Sequence, residues 1–353
     1  MNISVVIPVY NATDTILACL ESLNEQEVLP YEVILIDNNS TDNTVNKVKK
    51  YCEDKKLNII LINEIKRGPA AARNKGFELS KGDVIAFTDS DCITKRDWIK
   101  NVALVFQKDP DLDVIGGVDV GSNSDISLAG KFLSAFWLAI PEKLTMSLIL
   151  HKEDFLKDKF ICTFNCAFKR KLLLKINGFD EAFYPAGEDI DIWMRALEQK
   201  AKIVCWEPNI AVFHYQNISV KDLIKKAFIY GEALSHLAKR HFAYKIILQI
   251  PRFGQYEFDN RFFTMVICNN FTKLFLLFTL ILVALFTLRI AALTVLVISI
   301  IYFFFKIHFL IKRRGYILTF LENIFVLFLF IARELAEEMG RIYGSLRHRV
   351  ICL

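Results

Sequence analysis

No two of the eight cysteines stand in a C-x-x-C spacing. Scattered at 19, 52, 92, 162, 166, 205, 268 and 352, they form neither a zinc-ligand pattern nor a disulfide framework, and read as reduced thiols of a cytosolic compartment. The chain has no G-x-G-x-x-G and no Walker A sequence, which removes the main support for dinucleotide and P-loop binding. No internal repeat or low-complexity tract is visible. Charge is sparse at 24%, which excludes a disordered chain, and the net charge of +5 carries no nucleic-acid signature. Met1 runs at once into Ile3-Ser4-Val5-Val6-Ile7-Pro8-Val9, without a basic n-region and too short for the h-region of a leader. The first part of the chain is therefore expected to stay in the cytosol.

What is abundant is apolar surface. Hydrophobic residues make up 53%, and the mean hydropathy of +0.31 points to a membrane contribution. From Leu274 to Phe305 the only charged residue is Arg289. The stretch 271–311 is long enough for two passes of ~20 residues turning near Arg289, with Lys273 and Lys306 snorkelling; one long tilted helix is the alternative. Lys306, Lys312, Arg313 and Arg314 form a basic loop expected on the cytoplasmic side, which favours two passes. A third apolar run, Tyr316 to Ala332, is short and holds Glu322; it reads as a re-entrant or interfacial helix, or as a third span. Behind it Arg333, Arg341, Arg347 and Arg349 alternate with Glu334, Glu337 and Glu338 in a basic tail. Between Val220 and Phe242 apolar residues recur at helical spacing among lysines, as in either a surface helix or one touching anionic lipid. The expected organisation is a domain over 1–215, an amphipathic juxtamembrane region over 216–270, a membrane hairpin over 271–311, and a last apolar helix and tail over 312–353.

The N-terminal part alternates short β-branched runs with helical patterns. Ile3–Val9, Glu32–Ile36, Leu57–Ile62 and Val84–Thr88 read as buried strands. Thr13–Asn24, with Asn11 as its cap, Thr41–Glu53 and Pro69–Ser80 read as the helices between them. This order specifies a Rossmann-like α/β fold, a mostly parallel sheet flanked by helices, with ligands beyond the carboxyl ends of the strands.

Polar residues collect at those strand ends. Asp89 and Asp91 stand two apart after an apolar strand, so in extended backbone both carboxylates share one side and can reach a single hard cation. Taken alone, such a pair also occurs as a turn cap. Mg²⁺ or Mn²⁺ held there keeps positions open for water and phosphate oxygens, which suits a nucleoside diphosphate. Asp37 closes the second strand and suits the imide N–H of uracil or the N1–H and amino group of guanine; a helix cap is its other reading. Arg67 and Arg73 bracket Gly68-Pro69-Ala70-Ala71-Ala72 at a helix start, where anions are favoured. Glu188, Asp189 and Asp191 follow the loop Tyr184-Pro185-Ala186-Gly187. A carboxylate there serves as general base toward a hydroxyl, or merely complements the helix dipole. His214, after Ile210-Ala211-Val212-Phe213, ends a strand as a metal or phosphate ligand or as a core residue.

Taken in order, Val6-Ile7-Pro8-Val9-Tyr10-Asn11, Asp37-Asn38-Asn39-Ser40-Thr41-Asp42, Gly68-Pro69-Ala70-Ala71-Ala72-Arg73-Asn74, Asp89-Ser90-Asp91, Gly178-Phe179-Asp180-Glu181 and Gly187-Glu188-Asp189 resemble an inverting family 2 glycosyltransferase of GT-A fold with a C-terminal membrane anchor. The resemblance covers roughly residues 3 to 215. It implies Asp189 as catalytic base with Glu188 beside it, a donor site at Pro8, Tyr10, Asn11, Asp37, Arg73 and Asp89, and Mn²⁺ or Mg²⁺ on Asp91, Asp89 and His214. The donor implied is a nucleotide-diphosphate sugar, UDP-linked by preference or GDP-linked, and the partners are a lipid-linked or glycan acceptor and membrane lipid, with no nucleic acid. The Q-x-x-R-W motif of the processive branch is missing, since Trp193 and Arg195 do not reproduce it, so a single transfer is expected in place of polymerisation. Such an enzyme would sit in the inner or plasma membrane with its catalytic domain in the cytoplasm. A nucleotidyltransferase making sugar nucleotides, or an inactive sugar-nucleotide-binding membrane scaffold, are the rival readings.

Overall fold

The computed structural model describes residues 1–53, 57–121, 127–137, 148–151, 161–215, 218–250, 254–259, 264–268, 297, 300–302, 304–305, 308–309, 311–312 and 318–352. They divide into two compact units, one of residues 1–125 and 140–216 and one of residues 126–139 and 217–353.

The first unit opens with four parallel strands, β1 (Ile3–Val9), β2 (Glu32–Asp37), β3 (Ile59–Asn63) and β4 (Val84–Thr88), in the spatial order β3-β2-β1-β4. β2 and β4 are buried throughout, which is why each reads in the sequence as an unbroken apolar run without alternation. The crossovers are α1 (Ile16–Asn24), α2 (Thr44–Cys52) and α3 (Pro69–Leu79). Asn11 does not cap α1. The residue at the helix start is Thr15, while Asn11 has a positive φ of 48° and accepts from the backbone N–H of Thr41 at 2.8 Å. A short amide that tolerates the left-handed region serves the turn after β1 and ties it to the turn after β2.

The sheet is mixed beyond β4, where the parallel order expected from the sequence stops. Next in chain order come β5 (Cys92–Thr94), α4 (Trp98–Lys108), β6 (Leu112–Asp119), β7 (Leu148–Ile149), β8 (Asn165–Lys169), α6 (Arg170–Lys175), α7 (Glu188–Glu198) and β9 (Lys202–His214). β8 inserts antiparallel between β4 and β6, β6 runs parallel to β9, and β5 and β7 add antiparallel to β9. Because β1 connects to β2 on one side and β4 lies on its other side, the β1/β4 pair is the point where the winding reverses. The crevice beyond the carboxyl ends of these two strands is the expected ligand site.

Where β6, β8 and β9 meet, the pairing of β6 with β9 is irregular and a buried asparagine closes the gap. Asn165 accepts from the Trp98 indole N–H at 2.9 Å and donates to the carbonyls of Val118 and Ile210, both at 3.0 Å. Asn165→Leu keeps the volume and strands all three groups in the core, each at about 1–3 kcal/mol. A lowered thermal midpoint with intact secondary structure is the expected outcome, read by circular dichroism; an unchanged midpoint would show the knot to be dispensable.

In the second unit α8 (Val220–His241) packs on α9 (Phe320–His348), beside α5 (Leu128–Trp137) and a four-stranded sheet of β10 (Lys245–Ile250), β11 (Gly254–Asp259), β12 (Met265–Cys268) and β13 (Ile351–Cys352). α8 and α9 approach at backbone distance: a Cβ on Gly340 would lie 2.0 Å from the Phe228 carbonyl oxygen, and one on Gly231 2.0 Å from that of Glu337. The apolar run from Tyr316 supplies the first half of α9, opened by a Thr319/Glu322 capping box, and the charged tail continues the same helix. Among the described residues no helix is long and apolar enough to cross a membrane. The hairpin expected over 271–311 lies mostly outside the described residues.

Candidate active site

The crevice at the ends of β1 and β4 holds a cavity of about 340 Å³. It is lined by Pro8, Val9 and Tyr10 at the end of β1, by Asp89, Ser90 and Asp91 after β4, by Arg67 to Pro69, Ala72 and Arg73 around the start of α3, and by Asn38 and Tyr184. The N-terminus of α3 opens into this space and favours an anion there. Gly68 is required by two constraints at once. Its φ is +127°, and a Cβ would lie 2.9 Å from the Tyr184 ring. Asn38 fixes the same loop: its Oδ1 accepts from the Gly68 N–H at 2.8 Å, and its Nδ2 donates to the carbonyls of Glu64 at 2.9 Å and Lys66 at 2.7 Å.

Of the residues singled out in the sequence, Pro8, Tyr10, Arg67, Arg73, Asp89 and Asp91 line this cavity, while Glu188, Asp189 and His214 are not among its lining residues. Asp37 does not line it. It is buried at the end of β2, where it accepts from Asn63 Nδ2 at 3.0 Å and from the Ser40 N–H at 3.3 Å. Asn11 is exposed and engaged with Thr41. Arg73 is the joint between the two acidic motifs. Only 3% exposed, it donates to Asp89 at 2.9 Å and to Glu188, on the first turn of α7, at 2.8 Å. Burial opposes its charge, but the two carboxylates outweigh that and hold the guanidinium firmly protonated. The acid pair at the helix start is perturbed the other way. Burial raises Glu188 against the pull of Arg73. Burial, then the charge of Glu188, push half-buried Asp189 up to about 7, against the opposing influence of Arg73. Asp191, by contrast, is fully buried and bonded to Arg195 at 2.7 Å, which makes it a brace for α7.

His214, at the end of β9, sets its Nε2 3.3 Å from Asp91, with its ring against Phe164. Burial would lower the imidazole, but Asp91, Asp119 and Asp89 together push it up to about 9. Donor atoms of Asp91, Cys92 and His214 lie within 4.8 Å of one another. Carboxylate oxygen and imidazole nitrogen fit Mn²⁺ or Mg²⁺. The Cys92 thiol does not, because burial and the neighbouring carboxylates keep it protonated. Asp91 and His214 are the pair that could hold such a cation, which would have to displace the imidazolium proton, while Asp89 is engaged by Arg73. Cys92, Asn38 and Asp119 have positions here that sequence reading passed over. Asp119 could have been found by the logic used for Asp37 and Asp89, since it too ends a strand; its carboxylate accepts from the backbone N–H of His214 at 3.3 Å. Asn38 and Cys92 carry no such signal.

Residues 4–176 match the family model described as Glycosyl transferase family 2, so this stretch is a family 2 glycosyltransferase domain. By class, the domain is that of a glycosyltransferase. The chain is 29% identical over 202 residues to the UDP-Glc:alpha-D-GlcNAc-diphosphoundecaprenol beta-1,3-glucosyltransferase WfgD of Escherichia coli, covering 47% of this chain and 74% of that one. The amylovoran biosynthesis glycosyltransferase AmsB of Erwinia amylovora is 28% identical over 271 residues, 72% of this chain and 86% of its own. Glycosyltransferase AglE of Haloferax volcanii is 34% identical over 117 residues, a match covering 33% of this chain and only 38% of that relative. Among solved structures, the mannosyltransferase PcManGT from Pyrobaculum calidifontis, in complex with GDP-Man and Mn²⁺, superposes with a TM-score of 0.50 at 21% identity, over 68% of this chain and 64% of that one. At that identity the likeness shows a shared α/β GT-A-like fold.

Proposed function

We propose that this chain moves a sugar from a nucleotide-diphosphate donor to a hydroxyl acceptor by a single inverting displacement. The observation that carries this reading is Arg73, which joins Asp89 in the donor crevice to Glu188 of the acid pair, so that the two motifs belong to one site. The diphosphate lies at the N-terminus of α3, where unpaired backbone N–H groups and the helix dipole favour it. Asp189 takes the proton of the acceptor hydroxyl as that oxygen bonds to the anomeric carbon. The bond from the anomeric carbon to the diphosphate breaks on the opposite face, and its electron pair leaves with the nucleoside diphosphate. A divalent cation held by Asp91 and His214 would offset the charge gathering on the leaving group. Arg73 keeps Glu188 and Asp89 apart and oriented.

A UDP-sugar is the favoured donor and a GDP-sugar the alternative, since a named relative uses UDP-Glc and a structural neighbour binds GDP-Man. The acceptor class is a polyprenyl-linked sugar or another glycan precursor, the first being what the name of WfgD specifies for that enzyme. The apolar stretch 271–311 anchors the chain in the inner or plasma membrane, with the catalytic domain on the cytoplasmic side.

Membranes carrying the chain, given Mn²⁺, a panel of UDP- and GDP-sugars and a polyprenyl-diphosphate sugar, are expected to release nucleoside diphosphate and form a product of inverted anomeric configuration. Consumption of pyrophosphate in its place would favour a nucleotidyltransferase, and binding without turnover a scaffold. The acid limb of the turnover profile should fall below about pH 7, because the Asp189 carboxyl, raised to about 7, must be ionised to accept a proton. A limb at the ordinary carboxylate range would remove Asp189 from that role.

A further inference from the structure

α9 is turned inside out relative to a helix of a water-soluble protein. Every exposed side chain between Phe320 and Leu346 is apolar or aromatic. Leu321, Phe328, Leu335, Met339, Ile342 and Leu346 follow one another at steps of seven, four or three and are each 56–77% exposed. The stripe is ~38 Å long at 1.5 Å per residue. The charged residues of the same helix are drawn away from it. Arg333 pairs with Glu334 and Glu337, and Arg341, 8% exposed at its side chain, reaches Glu337 at 2.6 Å and Glu338 at 3.6 Å. Water as the outer solvent would favour the opposite arrangement, with charges out and leucines in.

We infer that the outward face of α9 lies in the acyl-chain layer of a bilayer, as an interfacial helix in the plane of the membrane. One-sidedness argues for lying on the bilayer: the opposite side is occupied by α8, packed at backbone distance through Gly231, Gly340 and Gly344. A protein partner fits poorly. Stable interfaces place hydrogen-bonding groups around an apolar centre, and here the Tyr343 hydroxyl is the single polar group among the exposed side chains from Phe320 to Leu346. The charge of the same unit complements an anionic lipid surface. α8 exposes Lys221, Lys225, Lys226, Lys239 and Arg240, and Arg347 and Arg349 are exposed where α9 ends. Val297, Ile301, Phe305 and Phe309 repeat the exposed apolar pattern at steps of four. This surface rests on the membrane setting proposed above and is independent of the sugar moved.

The test places a photoreactive benzophenone side chain at Phe328 or Leu335 in the full chain, reconstituted in vesicles of phosphatidylcholine and phosphatidylglycerol. Tyr31, 47% exposed on the first unit, is the control position. Irradiation is expected to give phospholipid adducts at 328 and 335, detected by mass spectrometry, and none at 31. Cross-linking to a second copy of the chain, or no lipid adduct while the protein still floats with the vesicles, overturns the inference and leaves the membrane anchor standing. Sugar turnover on a soluble acceptor analogue, measured on the same samples, reports separately on the transferase.

Discussion

Asp189→Asn lowers turnover by roughly 10²–10⁴-fold, the range supplied by a positioned general base, while the affinity for the nucleotide-sugar changes little. Asparagine keeps the shape of the side chain and its place in the first turn of α7 but cannot take a proton. The residue is not among those lining the donor cavity, which is why binding should survive. Stability separates this outcome from misfolding. The Asp189 carboxyl stands at about 7, above its ordinary 3.8, because burial and Glu188 disfavour its charge. A native pKa raised in this way contributes stability that is complete below 3.8 and lost as pH rises through about 7. Above pH 7 the asparagine variant is therefore expected to melt no lower than the parent, and below pH 4 the two should converge. Wild-type turnover in Asp189→Asn would refute the base assignment, and a large loss of melting temperature would reassign the residue to folding.

Arg73→Met is expected to be the most damaging change in the first unit. The guanidinium is buried and bonded at both ends, to Asp89 at 2.9 Å and Glu188 at 2.8 Å. Methionine fills much of the volume but leaves Glu188, 8% exposed at its side chain, as an uncompensated buried carboxylate, at a cost of about 3–5 kcal/mol. Arg73→Lys restores charge without the fork that spans two partners and should recover only part of the loss. The informative comparison is Arg73→Met with Glu188→Met. Replacing both partners by apolar groups removes the stranded charge, so the melting temperature should recover while turnover does not. Recovery of both would mean that the bridge is structural and that the acid motif and the donor crevice work independently.

The strands were legible because burial on both faces writes itself into the chain as short apolar runs; β1 and β4 have the bounds that their composition implies. The polar residues at their ends were legible for the same reason, as interruptions of those runs. The spacing of Asp89 and Asp91 taken alone also fits a turn cap; their order among the other motifs singled them out, and the cavity contains them. The direction of β8 was not readable, because Asn165-Cys166-Ala167-Phe168-Lys169 satisfies a buried strand of either polarity and only its neighbours choose between them. The strands β10 to β12 were missed in the 216–270 stretch expected to be amphipathic and juxtamembrane, and β13 in the C-terminal tail; the helix expected from Val220 to Phe242 is α8, and it ends at His241. The role of Arg73 could be guessed only as anion binding, since its partners lie 16 and 115 residues away.

By itself, the amino-acid order determined that an α/β domain would present carboxylates beyond its strand ends, and that an unusually apolar segment would follow, since periodicity and local composition are properties of neighbouring residues. The tertiary structure alone decided which carboxylates would be buried, which would meet Arg73, and which would stand against His214. It also decided that α9 would turn its charges inward and Leu321, Leu335 and Leu346 outward. Ionisation and exposure depend on what surrounds a side chain in space, and that environment is assembled from elements far apart along the chain.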